Sequence, residues 1–320
     1  MHVEPSISVI IPAHNDGKHL SRLLPALVRG FATHRIVAQV IVVANGGVQD
    51  GTPRICAEHG ATCLAYDHSL TPAAARNIGA ASAVGSWLAF LDADVEPIDI
   101  WFATVRRLMD SGDAQLAAGW EVLVPTDAGW LSIAWQHVRM AAARTQRYIN
   151  TGNLLIARPL FEKAGGFDAE RVAGEDAEFG ERILAVDGKQ IFDPGLAALH
   201  HGEPRGVADF FRRQLFHAEP LREVLRAIGS PLNVAIAAIL VTTILGCVSV
   251  LVLWPSARGY AVLMAMLGPG VLLLAAVAKA AAGWRSSIPL PEFGRMVAAS
   301  AVMLAARTVG TVWQLRTWRS

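Results

Sequence analysis

Short apolar runs alternate with segments of helical periodicity over the first part of the chain. The runs at 8–11, 39–43 and 62–66 predict buried strands, and a continuous apolar run at 87–91 predicts a fourth. Leucines spaced three and four residues apart predict a helix over 17–33. Strands that alternate with helices in this way are typical of a mostly parallel sheet with right-handed crossovers, so the pattern predicts an α/β domain.

Polar residues directly follow three of these predicted strands. His14-Asn15 follows the first strand, Asn45-Gly46 the second, and Asp92-Ala93-Asp94 the fourth. In sheets of this kind, ligands bind beyond the carboxyl ends of the strands. We therefore expect the three loops to form one cleft.

The next part of the chain, up to residue 205, is patterned less regularly and ends with His200-His201. Its periodicity changes from strand-like to helix-like several times over short distances. The elements predicted there are a strand over 116–124, a helix over 130–147, a strand at 154–156, a helix that begins at Gly174-Glu175-Asp176, and a strand at 189–192.

Charged positions become rare beyond residue 230. Residues 232–254 carry no charge, and at about 1.5 Å per residue this run is roughly 35 Å long, enough to cross a bilayer. Residues 260–282 predict a second crossing, and 296–315 predict a weaker third because Arg307 lies near its middle. The pattern predicts a membrane domain over 230–320 with two or three transmembrane helices.

The segment between these parts, 207–229, mixes phenylalanines and arginines at helical spacing. It predicts an amphipathic helix in the membrane interface, with a helix packed on the front domain as the alternative. Arg222 and Arg226 favour a cytoplasmic position for the chain in front of the first crossing. The expected protein is therefore multi-pass in the cell membrane, with a cytoplasmic domain over 1–206.

Composition supports this division of the chain. Hydrophobic residues make up 53% and charged residues 17%, which excludes a disordered or nucleic-acid-coating protein, so no nucleic-acid partner is expected. The net charge of +1 hides an asymmetry, because Glu292 is the single acid after residue 230 and the front section holds nearly all the others. An acidic front section is followed by a basic, apolar one.

Asp92-Ala93-Asp94 is the sharpest local feature of the front section. Two carboxylates at positions i and i+2 of a turning loop can approach one hard cation, which can in turn hold a pyrophosphate through its oxygens. The pattern alone is weak, and acids that cap a helix are the ordinary alternative. Its neighbours along the chain strengthen the interpretation.

Six segments follow one another in a fixed order along the front section. They are Ile10-Ile11-Pro12-Ala13-His14-Asn15, Val42-Val43-Ala44-Asn45-Gly46, Ala75-Arg76-Asn77-Ile78-Gly79, Phe90-Leu91-Asp92-Ala93-Asp94, Gly152-Asn153 and Gly174-Glu175-Asp176. This ordered set resembles the family 2 glycosyltransferases of GT-A fold. The resemblance covers about residues 6–217 and implies an α/β Rossmann-like fold with a mostly parallel sheet, here followed by C-terminal transmembrane helices. It implies an inverting enzyme that uses a nucleotide-diphospho-sugar.

The resemblance implies donor-binding roles for several residues. Pro12, Ala13 and Asn15 match the loop that holds the nucleoside, and Arg76 matches an arginine near the phosphates. Asn45 stands where the family usually has an aspartate that reads the base. An asparagine oxygen can also accept a base N–H, but the departure leaves the choice of nucleoside open.

The resemblance also implies the metal and the base. Asp92 would lie toward the ribose and the metal, and Asp94 would coordinate Mg2+ or Mn2+, with His201 as a further metal ligand. Asp176 matches the general base that takes the proton of the acceptor hydroxyl. Weaker candidates for contact with the acceptor or the diphosphate are Asn153, Glu175, His200, Arg213 and His217.

The expected function is transfer of one sugar by a membrane-anchored enzyme to a lipid-linked or cell-envelope glycan acceptor. Gln214-Leu215-Phe216-His217-Ala218 lacks the Q-x-x-R-W motif of processive synthases, which favours single transfer. Two alternatives stay open. One is a polyprenyl-phosphate sugar synthase, and the other is a catalytically degenerate membrane scaffold that binds the donor.

Overall fold

The computed structural model describes residues 6–46, 49–142, 149–171, 174–204, 206–216, 231–253, 266–285 and 288–313. The chain divides into two compact units. The first comprises Met1–Thr126 and Thr145–Gly202, and the second comprises Asp127–Arg144 and Glu203–Ser320. The second unit therefore takes one helix from within the sequence of the first.

The first unit is built on a seven-stranded sheet of order β3-β2-β1-β4-β7-β6-β8, beside a small antiparallel pair, β5 and β9. The strands are β1 (Ile7–Ala13), β2 (Ala38–Ala44), β3 (Thr62–Ala65), β4 (Trp87–Leu91), β5 (Val95–Pro97), β6 (Leu116–Gly119), β7 (Asn153–Ala157), β8 (Lys189–Phe192) and β9 (Ala198–His200). Its helices are α1 (Gly17–Thr33), α2 (Thr52–Glu58), α3 (Pro72–Ala81), α4 (Asp99–Asp110), α6 (Arg158–Lys163) and α7 (Glu175–Ala185).

The large sheet is mostly parallel, as the alternation of strands and helices predicts. Strands β1 to β4 pair in parallel, and β7 runs antiparallel to both of its neighbours, β4 and β6. Helix α1 and strand β4 have the predicted bounds. The strand predicted over 116–124 is too long, because β6 ends at Gly119. The β5–β9 pair was not predicted, because three-residue strands carry almost no periodicity.

Aromatic side chains join the sheet to the helices near the carboxyl end of β4. The ring of Phe90 lies 5.1 Å from that of Phe167, and Phe167 lies 4.4 Å from Phe179 of α7. Phe161 of α6 completes the cluster at 5.3 Å from Phe90. Contacts of this kind favour offset and edge-on ring geometries. They hold the start of α7 over the end of the central strand.

The second unit consists of helices in the described residues. They are α5 (Trp130–Ala142), α8 (Val207–Phe216), α9 (Pro231–Leu253), α10 (Leu267–Gly283) and α11 (Leu290–Trp313). Its core includes Val138 of α5, Phe210 of α8, Ile239 of α9, Ala276 of α10 and Met303 of α11. The helix predicted over 207–229 is described only as far as Phe216, and the rest of that segment lies outside the described residues.

The predicted location in the membrane is wrong. Among the residues that the structure describes, no helix combines the length and the apolar character needed to cross a bilayer. Helix α10 has 17 residues, which is about 26 Å against a hydrocarbon core of roughly 30 Å. Helix α11 is longer but contains Glu292, Arg295 and Arg307. The transmembrane helices expected within 230–320, the multi-pass arrangement and the cytoplasmic orientation derived from it are withdrawn.

We predict that Gly30→Ala destabilises the first unit, although alanine usually favours a helix by about 1 kcal/mol over glycine. A Cβ at this position of α1 would collide with the ring of Phe102 on α4, and overpacking of this kind costs about 1–3 kcal/mol. Denaturant unfolding measures the effect. Gly294→Ala in α11, where a Cβ meets open space, is the matched control and should be neutral or stabilising. Equal effects of the two substitutions would contradict the packing argument.

Candidate active site

The loops after β1 and β2 meet, as expected from their position at the carboxyl ends of parallel strands. Asn45 is buried, and its Nδ2 donates to the carbonyl of Ala13 at 3.1 Å. Its Oδ1 lies 3.1 Å from Nδ1 of His14 and also accepts the backbone N–H of Leu70 at 3.4 Å. The Asn45 amide therefore ties three loops together. Its role in reading a base stays a prediction.

The three residues of the first loop that the resemblance assigns to the nucleoside are distributed around this junction. Pro12 is half-buried and Ala13 is buried at the end of β1. Asn15 is exposed and has a φ of 57°, in the left-handed region. Asparagine tolerates this conformation better than most residues with a side chain. The turn directs the chain from β1 into α1, and the nucleoside contact remains a prediction for all three residues.

Arg76 is the central charge of the site. It lies on α3, and its side chain is only 4% exposed. Its Nη2 donates to Oδ1 of Asp92 at 2.8 Å, and its Nη1 donates to Oε1 of Glu175 at 2.9 Å. Burial alone would lower the pKa of the guanidinium, but the two carboxylates outweigh it and raise the pKa. Arg76 thus links the end of β4 to the start of α7.

Asp94 lies beyond β4 and faces His200. Pairing of β5 with β9 places Val95 opposite His200, and His200 Nε2 is 3.3 Å from Oδ2 of Asp94. Burial would raise the pKa of Asp94, but the hydrogen bond and the charge of His200 outweigh it and lower the pKa. A Cβ on residue 202 would collide with the Asp94 carboxylate, so Gly202 permits this close approach.

His201, the histidine expected at the metal, has another contact in the structure. Its Nε2 lies 2.7 Å from Oε2 of Glu96, and both side chains are largely buried. Glu96 is not among the residues that the sequence predicts for the site. Its spacing gives a usable signal, because Asp94 directly precedes β5 and Glu96 lies within this strand, two residues further on.

The side chains around Asp94 provide some of the ligands that a divalent cation needs. The described residues contain no group of three or more His, Cys, Asp or Glu side chains arranged to hold a metal ion. Asp94 offers a carboxylate beside the imidazole of His200, and Asp92 is 41% exposed, with its Oδ1 on Arg76. Magnesium is commonly held by one or two carboxylates together with substrate phosphates. The residues fit a cation whose coordination the donor's diphosphate completes.

Asp176 lies in the first turn of α7, next to Glu175. Burial, followed by the negative charge of Glu175, raises the pKa of Asp176 to about 6, and Arg76 partly offsets this increase. Its Oδ1 accepts the N–H of Ala177 at 2.8 Å. A carboxylate with a pKa near 6 can accept a proton at neutral pH and can also release it.

Asn153 has no polar group left for a ligand in the described contacts. Its Nδ2 donates to the carbonyls of Trp120 and Leu196, at 3.1 and 2.7 Å. Its Oδ1 accepts the indole N–H of Trp101 at 3.0 Å. The side chain joins β7 to α4 and to the segments around residues 120 and 196.

Two basic candidates, Arg213 and His217, fall in the sequence range of the second unit. Arg213 lies on α8, with its Nη2 3.3 Å from Oδ2 of Asp209. His217 lies outside the described residues. The predicted contacts of both residues with the diphosphate or acceptor stay predictions.

Comparison with known proteins connects this geometry to a family. Residues 8–162 match the family described as glycosyl transferase family 2. This segment is just under half of the chain, and over it the chain is similar to the family 2 glycosyltransferases. It runs from β1 into α6 and includes Arg76, Asp92 and Asp94, while Asp176 and the two histidines lie beyond it. The prediction of an enzyme of the glycosyltransferase class is confirmed.

Curated relatives share about a quarter of the residues aligned with this chain. The pre-mycofactocin glycosyltransferase of Mycobacterium tuberculosis is 25% identical over 223 residues, which cover 66% of this chain and 46% of that protein. The glycosyltransferase AglE of Haloferax volcanii is 26% identical over 211 residues, which cover 63% of this chain and 69% of AglE. The chain thus spans less than half the length of the first relative.

A solved structure supports the fold over nearly the whole chain. The mannosyltransferase PcManGT from Pyrobaculum calidifontis, in complex with GDP-Man and Mn2+, superposes with a TM-score of 0.61 at 18% identity. The alignment covers 98% of this chain and 88% of that one. At this identity the likeness supports the fold, and the α/β glycosyltransferase fold expected from the sequence is confirmed at that level.

We predict that Asn153→Ala lowers the free energy of unfolding by about 2–4 kcal/mol, because it leaves one buried N–H and two buried carbonyls without their partner. Urea unfolding followed by tryptophan fluorescence measures this change. An unchanged unfolding midpoint combined with loss of nucleotide binding would instead support the ligand contact that the resemblance implies.

Proposed function

We propose that this chain is an inverting glycosyltransferase that moves one sugar from a nucleotide-diphospho-sugar to an acceptor hydroxyl. The observation that carries the proposal is the position of Asp176. This carboxyl group has a pKa of about 6 and follows Glu175, which Arg76 joins to Asp92 at the end of β4. A candidate base is thereby linked to the loop that would face the donor.

Asp176 would take the proton of the acceptor hydroxyl as its oxygen attacks the anomeric carbon. One bond forms between this oxygen and the sugar, while the bond to the leaving nucleoside diphosphate breaks on the opposite face. The configuration at the anomeric carbon is therefore inverted. A pKa of about 6 leaves Asp176 mostly ionised at neutral pH and makes it a stronger base than an ordinary carboxylate, as general-base catalysis requires.

Asp94 and His200 would hold a divalent cation, with Asp92 as a further oxygen ligand. When bound, the cation would neutralise the charge that builds on the departing diphosphate. Carboxylate ligands suit both Mg2+ and Mn2+, and the imidazole of His200 favours Mn2+. The Mn2+ in the PcManGT complex supports the use of a divalent metal in this fold.

The acceptor is proposed to be a glycan or a lipid-linked molecule that presents a hydroxyl group. The first turn of α7 carries Glu175, Asp176 and Glu178. Glu175 and Glu178 are paired with Arg76 and Arg182. Asp176 would repel the phosphate of a polyprenyl-phosphate acceptor and can receive a hydrogen bond from a hydroxyl. Single transfer is supported by the absence of the Q-x-x-R-W motif at Gln214–Ala218.

A degenerate protein that binds the donor without turnover is the remaining alternative. It is motivated by Asn45, whose amide is occupied by internal hydrogen bonds. Release of nucleoside diphosphate that depends on both metal and acceptor would exclude this alternative.

We predict that Asp176→Asn abolishes sugar transfer and that the wild-type rate falls below about pH 6. The base works as a carboxylate, so protonation through a pKa of about 6 removes activity on the acidic side. The pH profile of kcat/KM measures this limb.

Glu181→Gln changes an exposed carboxyl group on the same helix, serves as the control and should keep the profile. Asp176→Asn should be at least as stable as wild type at neutral pH. The raised pKa means that the charged form of Asp176 destabilises the folded state, and the substitution removes that charge. Full activity of Asp176→Asn would refute the base assignment.

We predict that Asp94→Asn removes the stabilisation that Mn2+ and a nucleotide-sugar together give the wild-type protein. Ligands that bind the folded state raise its apparent stability. A thermal-shift screen of UDP-, GDP- and dTDP-sugars with Mn2+ or Mg2+ identifies the donor, and chelation with EDTA should reverse the shift. Asp99→Asn, an exposed acid of α4, is the control. A donor-induced shift in Asp94→Asn equal to that of wild type would contradict the metal assignment.

A further inference from the structure

The contacts of Arg76 do not match the phosphate-binding role that the family resemblance implies. An arginine that binds diphosphate needs N–H groups directed toward an open cleft. Here both terminal nitrogens already donate to carboxylates, Nη2 to Asp92 and Nη1 to Glu175. The guanidinium carbon also lies 5.8 Å from the centre of the Phe167 ring. The Arg76–Glu175 pair is largely buried, since the two side chains are 4% and 14% exposed. The third nitrogen, Nε, is buried without a hydrogen-bond partner among the described residues, so it is not directed toward an open cleft either.

The surroundings of α3 hold this arrangement in place. Asn77, the next residue, donates from Nδ2 to the carbonyl of Phe167 at 2.7 Å and accepts the N–H of Phe167 at 2.9 Å. Thr71 caps α3 by accepting the N–H of Ala74 and donates to the carbonyl of Ala169 at 2.7 Å. Helix α3 is therefore fastened to the 167–169 segment, so Arg76 has little freedom to turn toward a ligand.

We propose that Arg76 is a positioning residue, which fixes the Asp92 carboxylate and neutralises Glu175 so that Asp176 can serve as the base. This inference rests on the proposed function. It gives Arg76 a role toward Asp176 and Asp92 in place of a contact with the donor phosphates. The residue acts through its two carboxylate partners, and neither nucleotide nor sugar has to touch it.

Electrostatics around Asp176 supports this role. The charged groups that act on it from the described elements are Glu175, beside it on α7, and Arg76, from α3. Glu175 disfavours ionisation of Asp176 and Arg76 favours it. Loss of Arg76 would leave Glu175 and Asp176 as neighbouring carboxylates without this cation beside them. Two like charges at this distance repel each other, which raises the pKa of one of the two groups.

The test is a double-mutant cycle of Arg76→Gln and Glu175→Gln, read by the acidic limb of the pH profile. Arg76→Gln should move the limb up by about one pH unit or more, as expected when a nearby opposite charge is lost. Glu175→Gln should move it down. The double variant should lie close to wild type, because both charges are gone.

A matched control separates positioning from general damage to the fold. Arg182 on α7 also donates to a carboxylate, that of Glu178, and lies 5.2 Å from the ring of Phe179. It acts on Glu178 and is not among the groups that act on Asp176. Arg182→Gln should lower the unfolding midpoint and leave the acidic limb where it is.

The same cycle can be measured without turnover, by following the NMR titration of the Asp176 carboxyl carbon. The resonance of this carbon is identified by its absence from the spectrum of Asp176→Asn. If no donor supports transfer by the wild type but this titration moves as expected, the proposed function fails and only the electrostatic coupling of Arg76 to Asp176 stands. An unmoved limb and titration in Arg76→Gln, together with a raised KM for the donor, would overturn the inference and support a phosphate contact. If Arg76→Gln does not fold, Glu175→Gln decides: a downward shift supports the inference and no shift overturns it.

Discussion

The structure of the site depends on the burial of one positive charge. A buried guanidinium is tolerated only when it is paired and hydrogen-bonded, because its desolvation is costly. Arg76 meets this condition at its two terminal nitrogens, which contact Asp92 after β4 and Glu175 at the start of α7, while its buried Nε has no partner among the described residues. The Arg76 guanidinium therefore constrains α3, the loop that contains Asp92 and the start of α7 together. Displacement of the Asp92 loop or of α7 would leave this buried charge without one of its two partners.

The sheet topology supplies the remaining constraint. Antiparallel pairing of β7 with β4 places Asn153 opposite Leu91, so the Asp92 carboxylate packs against Gly152. The β5–β9 pair then returns the chain so that His200 faces Asp94. A shift of either register by one residue would turn alternate side chains to the opposite face of the strand. The position of each candidate ligand thus follows from backbone pairing between distant segments.

The pattern of apolar residues predicted an element correctly where the whole element is buried. Strand β4 is buried along its whole length, and its continuous apolar run gave the correct bounds. The same reasoning failed for the C-terminal helices, since an apolar run predicts burial without saying what covers it. Ile239 of α9 and Ala276 of α10 are buried in the core of the second unit, while Ile244 and Leu274 of the same two helices are exposed. The strand predicted over 116–124 failed because hydropathy continues beyond Gly119, where the ladder with β7 and β8 stops.

The sequence by itself determined the main strands and helices of the first unit, the acids that follow them and the similarity of residues 8–162 to the family 2 glycosyltransferases. Only the tertiary structure decided which groups pair. It placed His200 against Asp94 and His201 against Glu96, and it placed Arg76 between two carboxylates. The physical reason is that periodicity records the environment of each residue along one segment. Pairing between charges depends instead on how segments far apart in the chain are brought together by the sheet and its crossovers.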